Sequence, residues 1–391
     1  MKNLKVSISI FFIFSILFSC SKNVEEEIDF IEKYTLVKTS SIILPLDSTQ
    51  GFYDNSFSQL KLNDGTNWLS ILSKTNATIY NYDANSGDLV KKVNLELGNG
   101  PNGIGNTTVQ LTHLNISKDS TFLYNGETMK MYIVNSKGEV IKSHGLIQSD
   151  DYINNGPFYI SVSKDNRPYI VGNKVYINCS YLPNEYEGKK TLLSWDLRSG
   201  EMSLQGEPSD FYLEDCWGTP FSLNNFSTYD NSNRSFVLSF GVDPFVYQWK
   251  DGRLVSKKFL GSKFFLNEPY SNDISDYTSQ ASYRARSEHS QLSPKYYKIL
   301  YLKKPKMFIR ETFLERSLDE KARGVTGLKK SFIIGDSNLN RVGEYRVPSG
   351  KYHTSNFFLN DKGILMADMQ HYMKNENSMK FDLYEPQIIS N

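Results

Sequence analysis

The sequence has almost no excess of charge of either sign. Its 391 residues include 44 lysines and arginines and 43 aspartates and glutamates, which gives a formal net charge of +1. Proteins that hold nucleic acid through its phosphates carry a broad positive surface. We therefore expect no nucleic-acid partner.

Local marks of catalysis and of metal binding are also missing. The five histidines show neither H-x-H nor H-E-x-x-H spacing, and the sequence contains no G-x-S-x-G. These absences remove the usual marks of a zinc hydrolase and of a serine hydrolase of the nucleophile-elbow type. A metal site assembled from distant segments is left open. We predict no cofactor, no metal ligands and no catalytic residues.

Convincing helical periodicity is absent outside one segment, residues 311–323, whose composition favours an inserted helix or a mobile loop. Aromatic residues are abundant instead, with 25 tyrosines and 24 phenylalanines. Such side chains pack well on pleated surfaces, so the composition favours an all-β fold. An α/β fold with alternating helices does not fit.

Long apolar runs are limited to one, Val6–Phe18, which follows Lys2 and Lys5 and is short for a membrane-spanning helix. It ends in Leu17-Phe18-Ser19-Cys20, which resembles the lipobox of bacterial lipoproteins. We predict a signal peptide over residues 1–19 and lipid attachment at Cys20. The alternative is an ordinary secretory signal in which this cysteine is incidental.

Polar and acidic residues follow the lipobox, including Glu25–Glu27. They suit a flexible tether over residues 20–33. The chain would then be attached through lipid to the outer membrane, either periplasmic or exposed at the surface. Residues 34–391 would form one folded domain.

A repeated hairpin organises that domain. Strand patterns on both sides of turns at Gly87, Gly138, Gly200 and Gly252 recur at intervals of 51, 62 and 52 residues. This period is typical of a four-stranded blade. We predict six such units in a closed ring, a single six-bladed β-propeller. Residues 34–46 read as an opening strand pair, and the strand near Leu36–Leu44 should close the ring beside Phe381–Tyr384.

Two motifs have structural interpretations. Gly98, Gly100 and Gly103 satisfy G-x-G-x-x-G, but a β-like segment follows where a dinucleotide site needs a helix, so we predict a blade connection. The segments that begin at Asp83 and Asp336 loosely resemble calcium loops. They lack glycine at the sixth position and glutamate at the twelfth, so we predict turns.

A basic and aromatic segment, residues 282–310, is the strongest candidate for ligand binding. Arginine and tyrosine can hold an acidic sugar, a carboxylate or a phosphate. The alternative is solvated lysines that protect strand edges. The candidate ligand-binding residues are Tyr283, Arg284, Arg286 and His289, with Trp217 from the loop 215–218.

Two cysteines remain in the folded domain, Cys179 and Cys216. In an oxidising compartment they could form a disulfide. The alternative is that Cys179 is simply buried, because Val175, Ile177 and Cys179 share one face of a predicted strand.

The lipobox, the tandem β units, the segment Tyr80–Asp83 and the run Gly98–Gly105 together resemble a family of uncharacterised Bacteroidetes lipoproteins with a TolB-like six-bladed β-propeller. The resemblance implies a fold and an envelope location and supplies no active-site residue. Our first hypothesis is a non-catalytic protein that binds a saccharide, a peptide or an envelope protein on one face of the ring. The second is a hydrolase or lyase acting on a glycan, which requires Arg284, His289 and a carboxylate to converge.

Overall fold

The computed structural model describes residues 30, 32–52, 55–108, 110–146, 159–160, 166–181, 185–214, 224–265, 293–314 and 329–389. The chain divides into Met1–Ile31 and Glu32–Asn391, and the described strands all lie in the second part. They form six antiparallel sheets. The sheets are the blades of a β-propeller, which confirms the predicted fold class.

The first strand, β1 (Tyr34–Pro45), belongs to the last blade. Blades 1 and 2 then follow in chain order, each with four strands that pair sequentially. Blade 1 contains β2 (Asn55–Lys61), β3 (Asn67–Ser73), β4 (Thr78–Asp83) and β5 (Leu89–Asn94). Blade 2 contains β6 (Leu111–Asn115), β7 (Ser120–Asn125), β8 (Lys130–Asn135) and β9 (Val140–Gly145).

Blade 3 has an inner strand in two pieces, because β10 and β11 both pair with β12. Its strands are β10 (Tyr159–Ile160), β11 (Tyr169–Val171), β12 (Lys174–Ser180), β13 (Leu192–Asp196) and β14 (Met202–Gln205), followed by a short helix, α1 (Phe211–Glu214). Blade 4 contains β15 (Asn225–Asp230), β16 (Ser235–Phe240), β17 (Phe245–Lys250) and β18 (Arg253–Phe259).

Blade 5 contains β19 (Lys295–Leu302), β20 (Met307–Phe313), β21 (Lys330–Gly335) and β22 (Arg341–Val347). Residues 311–313 therefore end a strand, which corrects the helix or loop predicted for the start of the segment 311–323. Blade 6 contains β23 (Tyr352–Leu359), β24 (Ile364–Asp368), α2 (Met369–Lys374) and β25 (Ser378–Ile388), with β1 as its fourth strand.

Strand β1 closes the ring as predicted. It pairs antiparallel with β25, placing Ile42 opposite Phe381 and Leu36 opposite Pro386. The predicted strand pair over residues 34–46 is wrong, because this segment is one long strand with a register shift between Lys38 and Ser40. Joining both ends of the chain in one sheet removes the open seam that an incomplete ring would leave.

The core lies between neighbouring blades. Residues of the middle strands β3 and β4 are almost all buried, whereas most of the outer strand β5 is exposed. One cluster joins blades 2, 3 and 4 around the fully buried Trp195, and another joins blades 6 and 1 through Phe57, Phe358 and Phe381. A blade cannot cover both of its faces alone, so ring formation provides the burial.

In blades 1, 3 and 5 the turns between the third and fourth strands are stabilised in the same way. The side chain of Asp83 accepts backbone hydrogen bonds from Asn85 at 2.8 Å and Ser86 at 2.9 Å. Asp196 and Asp336 do the same in blades 3 and 5. These Asx turns replace the calcium loops that the sequence loosely resembles, so the predicted turns at Asp83 and Asp336 are confirmed.

Gly138 in blade 2 shows why glycine marks the repeat. Its φ is +88°, and an added Cβ would overlap the backbone carbonyl of Asn94 on the outer strand of blade 1. Gly87 approaches the carbonyl of Ile43 on β1 in the same way. In blades 1 and 2 this turn thus packs on the outer strand of the preceding blade, where a side chain has no room.

The two faces of the ring differ. Turns from the first to the second strand of each blade are short and lie on one face, as the ion pairs Lys118–Asp64 and Lys61–Asp361 between neighbouring turns indicate. Antiparallel pairing places the connections between second and third strands, and those between blades, at the opposite ends of the strands. We call this second side the mouth face. The long connections 206–224, 260–294 and 314–329 all begin and end there.

Candidate functional site

The ligand-binding candidates from the sequence belong to connections of the mouth face. Tyr283, Arg284, Arg286 and His289 lie between β18 and β19, and Trp217 lies between α1 and β15. All five are outside the described residues, as is the proposed lipid attachment site Cys20. Their convergence, which the enzyme hypothesis requires, therefore stays a prediction.

Cys179 on β12 is fully buried. Its Sγ lies 3.9 Å from the carbonyl oxygen of Ile177, and burial raises the pKa of the thiol. This environment suits an inert packing group rather than a reactive cysteine. Cys216 lies outside the described residues, so the pairing of the two cysteines stays a prediction.

Arg167 crosses the centre of the ring. It lies two residues before β11, in the segment that separates the two pieces of the inner strand of blade 3. Its Nη2 donates to the carbonyl oxygen of Ser355 in blade 6 at 3.3 Å. Its guanidinium carbon stands 3.6 Å from the ring centroid of Phe357 and 5.8 Å from that of Phe57. Blades 3 and 6 are opposite in a six-bladed ring, so one side chain spans the channel.

A buried ion pair in blade 5 lies beside this crossing. Lys298 on β19 pairs with Glu311 on β20 at 2.9 Å and donates to the carbonyl oxygen of Thr354 at 2.7 Å. Its ammonium group is 4.2 Å from the centroid of Phe357. Lys330 pairs with the same carboxylate at 3.3 Å.

A second aromatic ring extends the arrangement towards the mouth face. Phe313, the last residue of β20, has the ammonium groups of Lys330 and Lys295 at 4.4 and 6.0 Å from its centroid. Burial lowers the pKa of Lys295 to about 8. Lys295 and Lys330 are the first residues of their strands, so they stand at the edge where the long connections open.

We call these residues the cation–aromatic cluster. It brings together four cations, two phenyl rings and one carboxylate from three blades: Arg167, Lys295, Lys298, Lys330, Phe313, Phe357 and Glu311. Guanidinium and ammonium groups beside aromatic faces are the groups with which proteins hold carboxylates and acidic sugars.

The basic segment 282–310 thus divides. Arg310 is fully buried, and its five N–H groups donate to oxygen atoms of blade 4. Lys298 is 1% exposed and ion-paired. Neither is a solvated edge residue, so that alternative is wrong for both. It holds for Lys304, whose exposed side chain lies 3.9 Å from Asp361.

His113 lies in the channel wall between blades 1 and 2. Its Nδ1 is 3.0 Å from the hydroxyl of Ser56, and its Nε2 is 3.0 Å from that of Ser70. Burial, with a contribution from the charge of Arg167, lowers its pKa to about 3. Both ring nitrogens are engaged, which suits a neutral structural histidine better than a general base.

Gly98 and Gly105 exchange backbone hydrogen bonds at 2.9 and 3.1 Å, and Gly103 donates to the carbonyl of Gly100. The G-x-G-x-x-G run is therefore a tight connection between blades 1 and 2, as predicted.

Within the described ranges no group of histidine, cysteine, aspartate and glutamate side chains is arranged to hold a metal ion. No helix in that same part of the chain is long and apolar enough to cross a membrane.

Comparison with known families matches residues 30–346 to the domain of unknown function DUF4221. The chain belongs to the DUF4221 family. A crystal structure of a DUF4221 member from Bacteroides vulgatus superposes with a TM-score of 0.74 at 16% identity, covering 92% of this chain and 99% of that one. No curated protein matches.

Two further solved structures resemble the chain less closely. A Bacteroides fragilis protein described as a putative exported protein has a TM-score of 0.51 at 13% identity, covering 92% and 99% of the two chains. Virginiamycin B lyase from Staphylococcus aureus has a TM-score of 0.40 at 10% identity, covering 90% and 99%, and a likeness of that size carries no argument. DUF4221 membership and the propeller fold agree with the family inferred from the sequence, and they assign no activity. The lipoprotein character and the likeness to TolB stay predictions.

Proposed function

We propose that this DUF4221 protein is a lipid-anchored protein of the outer membrane whose propeller binds an anionic ligand at the mouth face without catalysing a reaction. The ligand class is a carboxylate-bearing saccharide or an acidic segment of an envelope protein. A lipid-anchored ring would recruit such a partner to the membrane. The lipobox at Cys20 and the exported neighbour support the location.

The observation that carries the binding role is the cation–aromatic cluster. Lys295 and Lys330 stand at the strand ends of the mouth face, and the ammonium groups of both lie over the ring of Phe313. The connection that contains Arg284 and Arg286 ends at Lys295. If Arg284 and Arg286 lie close to Lys295 and Lys330, the four cations together would form a pocket for a negatively charged group.

Binding is tested with an array of acidic and neutral oligosaccharides and acidic peptides, probed with purified protein. We expect acidic probes to bind, and the double variant Arg284→Gln/Arg286→Gln to lose that binding with its melting temperature unchanged. The matched control is Arg253→Gln/Arg346→Gln, which removes two exposed arginines from outer strands. An equal loss in the control, or binding of neutral probes alone, would contradict the proposal.

The anchor is tested separately with Cys20→Ala in the full chain. We expect this variant to leave the membrane fraction on alkaline extraction, because that treatment removes proteins that lack a lipid anchor. The native chain should remain in that fraction after alkaline extraction. A variant that stays membrane-bound after the same extraction would show that Cys20 is not the attachment point.

A further inference from the structure

The side of the ring opposite the mouth face is built from short turns, and we call it the short-turn face. The turns between the first and second strands of blades 5, 6 and 1, which are consecutive in the ring, are rich in exposed lysine. We call these lysines the lysine patch: Lys61, Lys303, Lys304, Lys306 and Lys362. Exposed lysines are ordinary on protein surfaces, so their number alone identifies no site.

The three turns are in direct contact, so the lysine patch is one surface. The backbone amide of Lys304 in blade 5 donates to the carbonyl oxygen of Asp361 in blade 6 at 3.0 Å. The ammonium group of Lys304 also lies 3.9 Å from the carboxylate of Asp361. Lys61 of blade 1 forms an ion pair with the same carboxylate. Lysines from two blades thus meet at one aspartate of the blade between them.

The positive charge of the lysine patch exceeds the negative charge of its own turns. Together with Lys61, the three turns contain five lysines and two aspartates, Asp64 and Asp361. Asp64 is paired at 2.8 Å with Lys118 of blade 2, which leaves Asp361 to offset the five lysines. Burial acts to raise the pKa of Asp361, but neighbouring lysines, Lys61 above all, hold it below its ordinary value. The patch therefore stays positive with this carboxylate ionised.

The other half of the short-turn face lacks this excess. The corresponding turns of blades 2, 3 and 4 contain Lys118 and Arg234 against Asp119. Positive charge is therefore concentrated in the sector of blades 5, 6 and 1. A charge excess confined to one sector draws that sector towards an anionic surface and so orients the whole molecule.

The predicted tether joins the ring in this sector. Glu32 lies 2.8 Å from Arg341, the first residue of β22 in blade 5, and the backbone amide of Lys33 donates to the carbonyl oxygen of Val342 at 2.8 Å. A fourth strand begins on the short-turn face, because antiparallel strands alternate in direction. Twelve residues separate Cys20 from Glu32. A flexible chain of that length spans roughly 20 Å on average.

We propose that the short-turn face rests on the anionic phospholipid surface that holds the lipid anchor, with the lysine patch against the headgroups. This inference rests on the lipid anchor of the proposed function and adds the orientation of the ring. Two observations support it, because the attachment point of the tether and the charge excess lie in the same sector of one face. The mouth face then points away from the membrane, where its ligand has access.

The orientation is tested with the full acylated chain in vesicles of phosphatidylethanolamine and phosphatidylglycerol. A fluorophore is attached after Asn63→Cys, in the blade 1 turn, or after Glu376→Cys, on the mouth face between α2 and β25. Both variants are made in a Cys216→Ser background. Quenching is measured with lipids that carry a nitroxide on the headgroup. We expect position 63 to be quenched several-fold more strongly than position 376.

Removal of lysines tests whether the patch sets this orientation. The patch variant is Lys303→Gln/Lys306→Gln/Lys362→Gln. It should lose the stronger quenching at position 63, because the attraction to anionic headgroups is weakened. The native chain should lose it as well when neutral phosphatidylcholine replaces phosphatidylglycerol.

The matched control removes the same charge from exposed lysines of blades 2 and 4, Lys130→Gln/Lys250→Gln/Lys258→Gln. These positions lie outside the sector of blades 5, 6 and 1. The control should therefore keep the stronger quenching at position 63. An equal loss in the control and the patch variant would show that total charge, and not the lysine patch, sets the orientation.

Three further results overturn the orientation while the anchor stands, all on chains that float with the vesicles. Equal quenching at both positions shows that the ring has no fixed orientation. Absence of quenching at both positions leaves the patch facing water, open to another anionic partner. Stronger quenching at position 63 that survives in neutral vesicles or in the patch variant shows that the lysines do not cause it. A chain that does not float overturns the anchor and the orientation with it, so flotation separates the two failures.

Discussion

The guanidinium of Arg310 in blade 5 donates to the backbone carbonyl oxygen of Asp243 in blade 4 at 2.6 Å. Four more donors reach Ser239, Phe240, Pro244 and Leu260 at 2.8–3.1 Å. All five N–H groups of the side chain are thus used between two blades. Burial lowers the pKa of Arg310 to about 10, so it remains charged at neutral pH.

Arg310→Lys should therefore destabilise the ring despite keeping the charge. A lysine has three donors on one nitrogen and leaves several buried carbonyls without a partner, at a cost of about 2–4 kcal/mol. The control, Arg346→Lys at an exposed position of β22, should change the free energy of unfolding little. Urea unfolding of both variants gives the comparison. Equal free energies of unfolding for the two variants would show that the five hydrogen bonds of Arg310 make no net contribution to stability.

Gly138→Ala should cost more than Gly252→Ala, although both residues have positive φ, +88° and +74°. An alanine at either site has an unfavourable backbone conformation, worth about 1–2 kcal/mol. Only the Cβ at position 138 also meets backbone, that of Asn94, which adds about 1–3 kcal/mol of overpacking. Thermal unfolding of the two variants measures the difference. Matching melting temperatures would contradict the packing of turns on neighbouring blades.

The fold was predictable because the same pattern of strands and turns recurs in successive blades. Turn glycines at Gly87, Gly138, Gly200 and Gly252 recur with alternating strands on both sides, and a repeat of this kind restates one pattern several times. Closure by β1 followed from its lack of a local partner. The predicted helix or loop was wrong for residues 311–313, because Glu311 and Thr312 lie in a fully buried strand where tertiary contacts outweigh helix propensity.

Asp382→Asn should weaken the closure of the ring by about 1–3 kcal/mol, because this buried carboxylate on β25 accepts hydrogen bonds from β1 across the seam and from β23 of the same blade. Ser41 on β1 donates to it at 2.6 Å and Tyr352 on β23 at 2.8 Å, and Lys38 is 2.8 Å away. Asp88→Asn, at an exposed turn, is the control. Denaturant unfolding measures both variants.

The effect of Asp382 should depend on pH. Burial acts to raise its pKa, but hydrogen bonds from Lys38, Ser41 and Tyr352 hold it at about 2. The stabilisation is therefore fully present above the unfolded pKa of 3.8 and is lost as pH falls towards 2. The difference in free energy of unfolding between the native protein and Asp382→Asn should decrease over that interval. A difference that stays constant would contradict a role for the ionised carboxylate in ring closure.

His113 should make the protein less stable below about pH 6.5. Its pKa in the folded state is about 3, against 6.5 when unfolded, so in this interval only the unfolded chain takes up the proton. Stability then falls by up to about 1.4 kcal/mol per pH unit as pH decreases. His113→Gln should flatten the slope, leaving a part from His144, whose pKa burial also lowers. An unchanged slope would mean that His113 is protonated in the ring.

The site was less predictable than the fold. Arg167 belongs to no recognisable sequence motif. It lies between two short strands, β10 and β11, and their relationship is seen only from their shared pairing with β12. Lys298 and Arg310 were flagged as part of a basic segment, yet their roles depend on partners in other blades. Long-range pairing across a ring has no counterpart in local spacing, so sequence could indicate the segment and not the contacts.

Binding of an acidic oligogalacturonate by the native protein across pH 7 to 9 tests the central claim most directly. Lys295 has a pKa of about 8, lowered by burial, and loses its charge through this interval. If the cation–aromatic cluster binds anions, the affinity measured by calorimetry falls as pH rises, while Lys295→Gln binds more weakly at pH 7 and shows a flatter profile. Failure of any acidic probe to bind, or a native affinity that does not change from pH 7 to 9, would contradict the account.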